Sequence, residues 1–435
     1  MKLPNPPHLE ILESAPETLR VAVDYYNEDH RKMLIVEKYP DKLQRIAGTT
    51  VDIPTADFLA YYQFWKQRQR PDLYSHLSVV KSRFLPDALA ELNTLVTFKH
   101  GTIQSERNVV DGNTTQTGRI GEAVALCVLN QIHDTGPGDW RAFPENRSGV
   151  PAGLRPMDHW IQTASDGKII IQVEAKASYL PEEITCVDAR IKKHARSIAD
   201  KKLTHFNVSE SRSGLWKADL RYGAITAFGT SEGADAQCWL LDPPTEGGGD
   251  PATVRTISRL LYACNLLQMV APRSDLTIAL VNRLASLLSE EHLGNSDKRP
   301  LLRANGKPYS DLFEETAVDG DCTSRFFSTR TRVDEYPAGG IVIQVAKKEF
   351  YFIGVREDLI RDSVLQNFES IQDYSAKPRS FHATVNAVIP TGKAISMGLA
   401  SERRASSGPN QYLSFSGRLF ASSGGFVFGT IAPDN

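Results

Sequence analysis

Apolar positions along this chain change their period twice. Asp57-Phe-Leu-Ala-Tyr-Tyr-Gln-Phe-Trp-Lys66 and Pro86-Asp-Ala-Leu-Ala-Glu-Leu-Asn-Thr-Leu-Val96 show helical spacing, and Pro86 suits a first helical turn. Pro16-Glu-Thr-Leu-Arg-Val-Ala-Val23 is expected to open another helix behind its proline, so residues 1–112 read as a mostly helical N-terminal region. From 113 to 245, helical and β-branched segments alternate. Gly118-Arg-Ile-Gly-Glu-Ala-Val-Ala-Leu-Cys-Val-Leu129 is a helix, and Lys168-Ile-Ile-Ile-Gln-Val-Glu-Ala-Lys176 is a strand. Asp188 to Lys202 is a basic amphipathic helix with Ile191, Ala195, Ile198 and Ala199 inward. Ala224–Phe228 and Cys238–Leu241 read as closing strands. The mix predicts an α/β (α+β) unit, a central mixed sheet flanked by helices. Asp242-Pro-Pro-Thr-Glu-Gly-Gly-Gly-Asp-Pro251 is the clearest linker in the chain. Beyond it, residues 251–435 begin with a helix pair, Pro251–Met269 and Ser274–His292, and then turn to short strands.

The strand ending at Lys176 carries the chemistry. Side chains alternate along a strand, so Ile169, Ile171, Val173 and Ala175 share one face, while Ile170, Gln172, Glu174 and Lys176 share the other. A carboxylate and an ammonium beside such an apolar run are costly to bury without partners or a task. Asp158, in Pro156-Met-Asp-His-Trp160, lies on the preceding run, and Ser165-Asp-Gly-Lys168 is a hairpin turn between the two. Pairing them is expected to bring Asp158 beside Glu174, with Lys176 adjacent. Two carboxylates and waters suffice for Mg²⁺ (or Mn²⁺), and the lysine suits a phosphodiester. The acid-x-Lys triplet occurs three times, as Asp166-Gly-Lys168, Glu174-Ala-Lys176 and Asp200-Lys-Lys202. Only the second lies in a β-branched run facing an acid across a hairpin.

These residues resemble the PD-(D/E)xK nucleases, whose restriction-endonuclease-like fold carries an acid at the start of one strand and acid-x-Lys on the next. Asp158, Glu174 and Lys176 stand at those positions, with Pro156 two residues ahead of Asp158 rather than adjacent to it. The likeness covers residues 115–245. It implies a Mg-dependent endonuclease in which Asp158 and Glu174 hold the metal and Lys176 orients the water or offsets charge on the phosphate. It also implies DNA in preference to RNA as substrate, in a setting such as bacterial restriction or anti-phage defence. Members often add a glutamate from the helix before the hairpin, which Glu122 matches as a further metal and catalytic candidate; an acid near a helix N-terminus is also favoured by the helix dipole alone. Gln172 would support the metal or a phosphate, or be a plain core-edge glutamine. In the family the helix after the motif lies near nucleic acid. From Cys186 to Tyr222 there are nine Lys/Arg against four Asp/Glu, and Lys192, Lys193 and Arg196 are the phosphate-binding candidates, set against an ordinary solvated helix face.

Composition narrows this further. The 435 residues suffice for two or three domains, and 41% hydrophobic with 23% charged residues is ordinary globular usage. A net charge of −2 leaves no global attraction to nucleic acid, so any basic surface is local. Five scattered cysteines without a C-x-x-C pair argue against a zinc site or a disulfide framework and for a reducing compartment. The N-terminal stretch has no signal-peptide core and no segment could span a bilayer, so a cytoplasmic location without membrane partners is expected. Tyr61, Tyr62, Phe64 and Trp65, followed by Lys66, Arg68 and Arg70, read as core before base-stacking. Ile341-Val-Ile-Gln-Val-Ala-Lys-Lys348 echoes the motif strand with Ala346 in place of the acid, so either a decayed second unit or common strand composition accounts for it. Residues 251–435 are left a role in recognition, partner binding or homo-oligomerisation. Two other functions stand beside the nuclease: a non-catalytic nucleic-acid-binding module of the same fold, and a nuclease effector toxin.

Overall fold

The computed structural model describes residues 9–36, 40–64, 84–105, 114–140, 160–163, 169–180, 183–209, 218–229, 235–241, 251–272, 274–289, 300–303, 305–311, 331–334, 336–399 and 408–434. Mixed α and β structure divides into two units. One, the sheet unit, comprises Ala15–Pro71 and Glu91–Ser258; the other, the barrel unit, comprises Met1–Ser14, Asp72–Ala90 and Arg259–Asn435.

After a short helix, α1 (Glu10–Ser14), the chain enters the sheet unit with β1 (Thr18–Tyr25), α2 (Glu28–Val36), α3 (Pro40–Ile46), β2 (Thr49–Pro54) and α4 (Thr55–Phe64). α5 (Phe84–Leu95) leads to a small pair, β3 (Val96–Thr97) and β4 (Gln104–Ser105). Then come α6 (Thr114–His133), β5 (Trp160–Thr163), β6 (Ile170–Leu180), α7 (Ala189–Ser209), β7 (Leu220–Gly229) and β8 (Ala236–Leu241). The six-stranded sheet has the order β2-β1-β8-β7-β6-β5. β1 pairs with β8, and β6 with β7, in parallel; the other neighbours are antiparallel.

The Pro16–Val23 segment, expected as a helix, is a strand. Leu19, Val21 and Val23 are buried while Thr18 and Arg20 are exposed, a period of two that outweighs the helix-opening proline. The expected boundary at residue 112 falls with it. β1 and β2 complete the same sheet as β5 to β8, so these N-terminal residues belong to the sheet unit rather than to a separate helical region. α4 and α5 form where helical spacing was read, and Tyr61, Tyr62 and Phe64 are core; Trp65, Lys66, Arg68 and Arg70 lie outside the described residues.

β6 is held on both faces. Its Ile170, Ile171 and Val173 are all buried, the pattern of a strand covered front and back. On one side Gly121 of α6 presses so closely that a Cβ there would overlap that of Ala177, and the Thr226 hydroxyl on β7 donates to the Gly121 carbonyl at 3.0 Å. On the other side α7 lays Ile191, Ala195 and Ile198 against Leu180, Ile225 and Ala227, whereas Ala199, expected inward with them, is exposed. α7 is the crossover that a parallel β6–β7 pair requires. The two strand starts are tied by Asp219, whose carboxylate accepts from the Ile170 amide at 2.8 Å while its own amide donates to the Ile170 carbonyl at 2.8 Å.

The stretch 242–250, expected as a linker, lies outside the described residues; α8 (Pro251–Val270) and α9 (Asp275–Ser289) are the two helices expected after it. The barrel unit then closes β9 (Thr331–Val333), β10 (Ala338–Ala346), β11 (Glu349–Arg356), β12 (Arg379–Pro390), β13 (Asn410–Ala421) and β14 (Phe426–Pro433) into an antiparallel barrel of order β10-β11-β14-β13-β12-β9. Phe350, Phe352, Val385, Phe415 and Leu419 fill its core. At Gly417 an added Cβ would overlap the Thr430 carbonyl of β14, so only glycine permits the strands to close there. The echo segment Ile341–Lys348 lies on β10, which turns at Lys348 (φ +67°) straight into β11, without the helical crossover that follows the motif strand. That setting favours common strand composition over a second nuclease unit.

Arg356 at the end of β11 grips Asp358 through Nε at 3.0 Å to both carboxylate oxygens and donates to the Tyr336 hydroxyl at 2.9 Å; Tyr374 adds a 2.9 Å bond to Asp358. Burial pushes the Asp358 carboxyl up, but the bonds and charge of Arg356, with Tyr374 and the Leu359 amide, together hold it below its ordinary value. Among the described residues no helix is long and apolar enough to cross a membrane.

Two outcomes follow. Gly121→Ala is expected to cost about 2 kcal/mol by overpacking, and adding Ala177→Gly to recover most of it, read as thermal midpoints of both variants. Because the folded pKa of Asp358 is depressed, its stabilisation is present above about pH 4 and is lost as pH falls through the folded value. Asp358→Asn should therefore destabilise by roughly 2 kcal/mol at neutral pH and by much less near pH 2, measured by urea unfolding.

Candidate active site

Gln172, Glu174, Lys176 and Ser178 point to the face of β6 that α7 covers. The alternation fixes this: Ala177 faces α6, whereas Gly223, paired with Glu174, lies against Ile198 of α7. Glu174 is fully buried, and its Oε1 accepts from Lys176 Nζ at 2.6 Å. The lysine side chain keeps 21% of its surface. The pair is asymmetric: the carboxylate is enclosed, while the lysine side chain is partly exposed.

Gln172 sits one step inward. Its Oε1 accepts from Arg221 Nε at 3.1 Å, and β6–β7 pairing sets the two directly side by side. Its Nε2 is buried with no hydrogen-bond partner among the described residues. Arg221 is itself fully buried. The sequence tally of basic residues counted Arg221 toward a phosphate-binding surface; it belongs instead to the interior of the sheet. The signal was available in Leu220-Arg-Tyr-Gly-Ala-Ile225, where an arginine interrupts a strand at a position that shares a face with Gly223 and Ile225.

His194 is the other residue that the motif does not announce. From α7 it brings Nε2 to 3.0 Å from Ser178 Oγ and 3.1 Å from the Ala177 carbonyl. Burial lowers its pKa, and the charges of Lys176 and then Lys193 act the same way, against a smaller opposing effect of the Ala177 hydrogen bond. The imidazole is thus neutral at pH 7. Its signal was the helical spacing of Ile191, His194, Ala195 and Ile198, which puts the ring on the inward face.

The remaining candidates are placed as follows. Lys192, Lys193 and Arg196 are exposed on α7, opposite its buried Ile191, Ala195 and Ile198. Glu122 is buried on α6, but at Gly121 that helix meets β6 on the face opposite Glu174 and Lys176, so the strand stands between that contact and the pair. Asp158 lies outside the described residues, as does the Ser165–Lys168 turn. β5 pairs antiparallel with β6, Trp160 with Val173 and Thr163 with Ile170; among its described residues Ile161 and Thr163, and not the even-numbered Trp160 and Gln162, share the face of Glu174, so this register does not by itself bring an even-numbered position beside Glu174. Among the described residues no group of three or more His, Cys, Asp or Glu side chains is gathered to hold a metal. Among the described residues the carboxylate at hand is Glu174, and a divalent ion there requires Asp158 on the same face. Searches of family models, curated proteins and solved structures return no match to this chain.

His194 gives a pH test. Its folded pKa lies below the ordinary 6.5, so the unfolded chain takes up the proton first, and stability is fully present above about pH 6.5 and lost as pH falls toward the folded value. Unfolding free energies across that window should decline for the native chain, and His194→Gln should flatten the decline.

Proposed function

We propose that the sheet unit is a metal-dependent nuclease hydrolysing phosphodiester bonds, with DNA preferred to RNA. The observation that carries this reading is the Glu174–Lys176 ion pair on a strand buried on both faces, with its carboxylate enclosed and its lysine side chain partly exposed. The element order supports it as well. A helix (α6), an antiparallel hairpin (β5–β6) and a covering helix with an exposed basic side (α7) follow the arrangement that the acid-x-Lys resemblance implies. A restriction-endonuclease-like core is part of the same proposal, and a role in bacterial restriction or anti-phage defence would follow from it.

The chemistry assigns each residue a task. Glu174 and Asp158 would hold Mg²⁺ or Mn²⁺, which when bound supplies a water of lowered pKa and polarises the phosphate. Lys176 donates to the phosphate oxygen on which charge grows, or to the attacking water, from a position fixed by Glu174. Lys192, Lys193 and Arg196 meet the backbone on the outer side of α7, an attraction that weakens as salt rises. Gln172 and Arg221 brace the inner end of the row.

The complete burial of Glu174 also favours a second reading, in which the pair is a structural remnant and the unit binds nucleic acid without cutting it. One experiment separates the two. Plasmid, single-stranded DNA and RNA are incubated with Mg²⁺ or Mn²⁺ and the full chain, alongside Glu174→Ala and Lys176→Ala, with metal binding followed by calorimetry. The nuclease reading expects metal-dependent cutting that falls roughly 100-fold or more in each variant, and metal binding weakened by Glu174→Ala. Nucleic-acid binding by the native chain without cutting in either metal would favour the second reading.

A further inference from the structure

We infer that His194 is a positioning residue for Lys176, a role that rests on the nuclease reading above and deepens it. The α7–sheet interface around it is apolar: Ile191, Ala195 and Ile198 meet Leu180, Ile225, Ala227 and Trp239. Into this layer His194 brings a polar bridge that lands on β6 immediately after Lys176, at the Ala177 carbonyl and the Ser178 hydroxyl. A carbonyl oxygen only accepts, so the bond to Ala177 requires the proton on Nε2 and fixes the tautomer of the neutral ring.

The same three residues are gripped from the opposite face. Gly121 of α6 leaves no room between itself and Ala177, so residues 176–178 lie between a helix that presses on them and a helix that hydrogen-bonds to them. A lysine side chain is a long flexible stem. Its ammonium meets the same carboxylate oxygen each time only if its backbone origin stays fixed. Gly121 blocks displacement of the strand toward α6, and His194 draws it toward α7. Removing the imidazole takes away the bond by which α7 holds residues 177 and 178, leaving the β7 pairing and the Arg190 bond to the Tyr179 carbonyl at 2.6 Å. Lys193 and Arg196, on the outer side of α7, sit within two residues of His194, so the helix that would meet the phosphate backbone is also the one that tethers the lysine.

His194 touches no reacting group in this account, and its test is built accordingly. Glutamine can carry an amide N–H to the place of Nε2, whereas asparagine is too short to do so. DNA cleavage in Mg²⁺ by the full chain is measured for native protein, His194→Ala, His194→Gln and His194→Asn. Amide hydrogen exchange at residues 176–178 and thermal midpoints are recorded on the same samples. The expected result is kcat about tenfold lower for His194→Ala and His194→Asn, KM for DNA changed less than about twofold, and faster exchange at 176–178, with His194→Gln restoring both. Should His194→Ala fail to fold, the Gln-against-Asn contrast carries the test. Equal behaviour of folded Gln and Asn variants, or unchanged kcat in both Ala and Asn, would overturn the proposal. Absence of cutting by the native protein would instead remove the nuclease reading, while exchange at 176–178 would still report whether the tether exists.

Discussion

The two-sided enclosure of β6 is the constraint on which the sheet unit rests. A strand buried on both faces must satisfy every polar atom it carries from neighbouring strands or from the two covering layers. β6 meets most of this with β5 along Ile170–Val173 on one edge and β7 on the other, with α6 against its odd-numbered side chains and α7 against the even-numbered ones; the Gln172 Nε2 is left without a partner among the described residues. Within that enclosure a polar row of Gln172, Glu174, Lys176 and Ser178 survives only because each finds a partner: Arg221 for the glutamine oxygen, Lys176 for Glu174, His194 for the serine. Enclosure also lowers the effective dielectric, so these contacts are stronger than they would be at the surface and their loss more costly.

Much of this arrangement was legible in the sequence. The isoleucine run named a buried strand, and the period of two assigned Gln172, Glu174 and Lys176 to a common face. The 3.6-residue spacing of Ile191, Ala195 and Ile198 gave α7 its inner side. What escaped notice had physical causes. β1 alternates more clearly than β6, yet Pro16 and a short polar lead-in suggest a helix start, and no local feature reveals that a partner strand lies more than 200 residues downstream, as the Arg20–Asp235 hydrogen bond records. Arg221 was counted with the basic residues because an arginine in a basic segment is usually solvated; its burial beside Gln172 is a tertiary feature. Barrel closure was illegible for a similar reason, since each strand reads alike whether its sheet is open or closed.

The candidate site is more finely divided than the motif suggests. The acid-x-Lys spacing placed two groups on one face, and geometry made them an ion pair. It gave them different access to water, which no spacing rule conveys. Glu122 shows the converse. Its burial agrees with the motif, but the neighbouring Gly121 meets β6 on the face opposite Glu174 and Lys176.

The parallel pairing of β1 with β8 has a consequence for how the chain is made. Synthesis begins at the N-terminus, and β1 emerges with β2 close behind, whereas Ala236–Leu241 follows only after α6, β5, β6, α7 and β7. Until then Leu19, Val21 and Val23 have a single neighbouring strand and an open hydrogen-bonding edge. Closing so long a loop carries a slow, entropic cost, and the ribosome delays it further. The last strand of this sheet to leave the ribosome is therefore the one that shelters the first, and nascent chains stalled before β8 would expose an aggregation-prone edge that the finished protein hides.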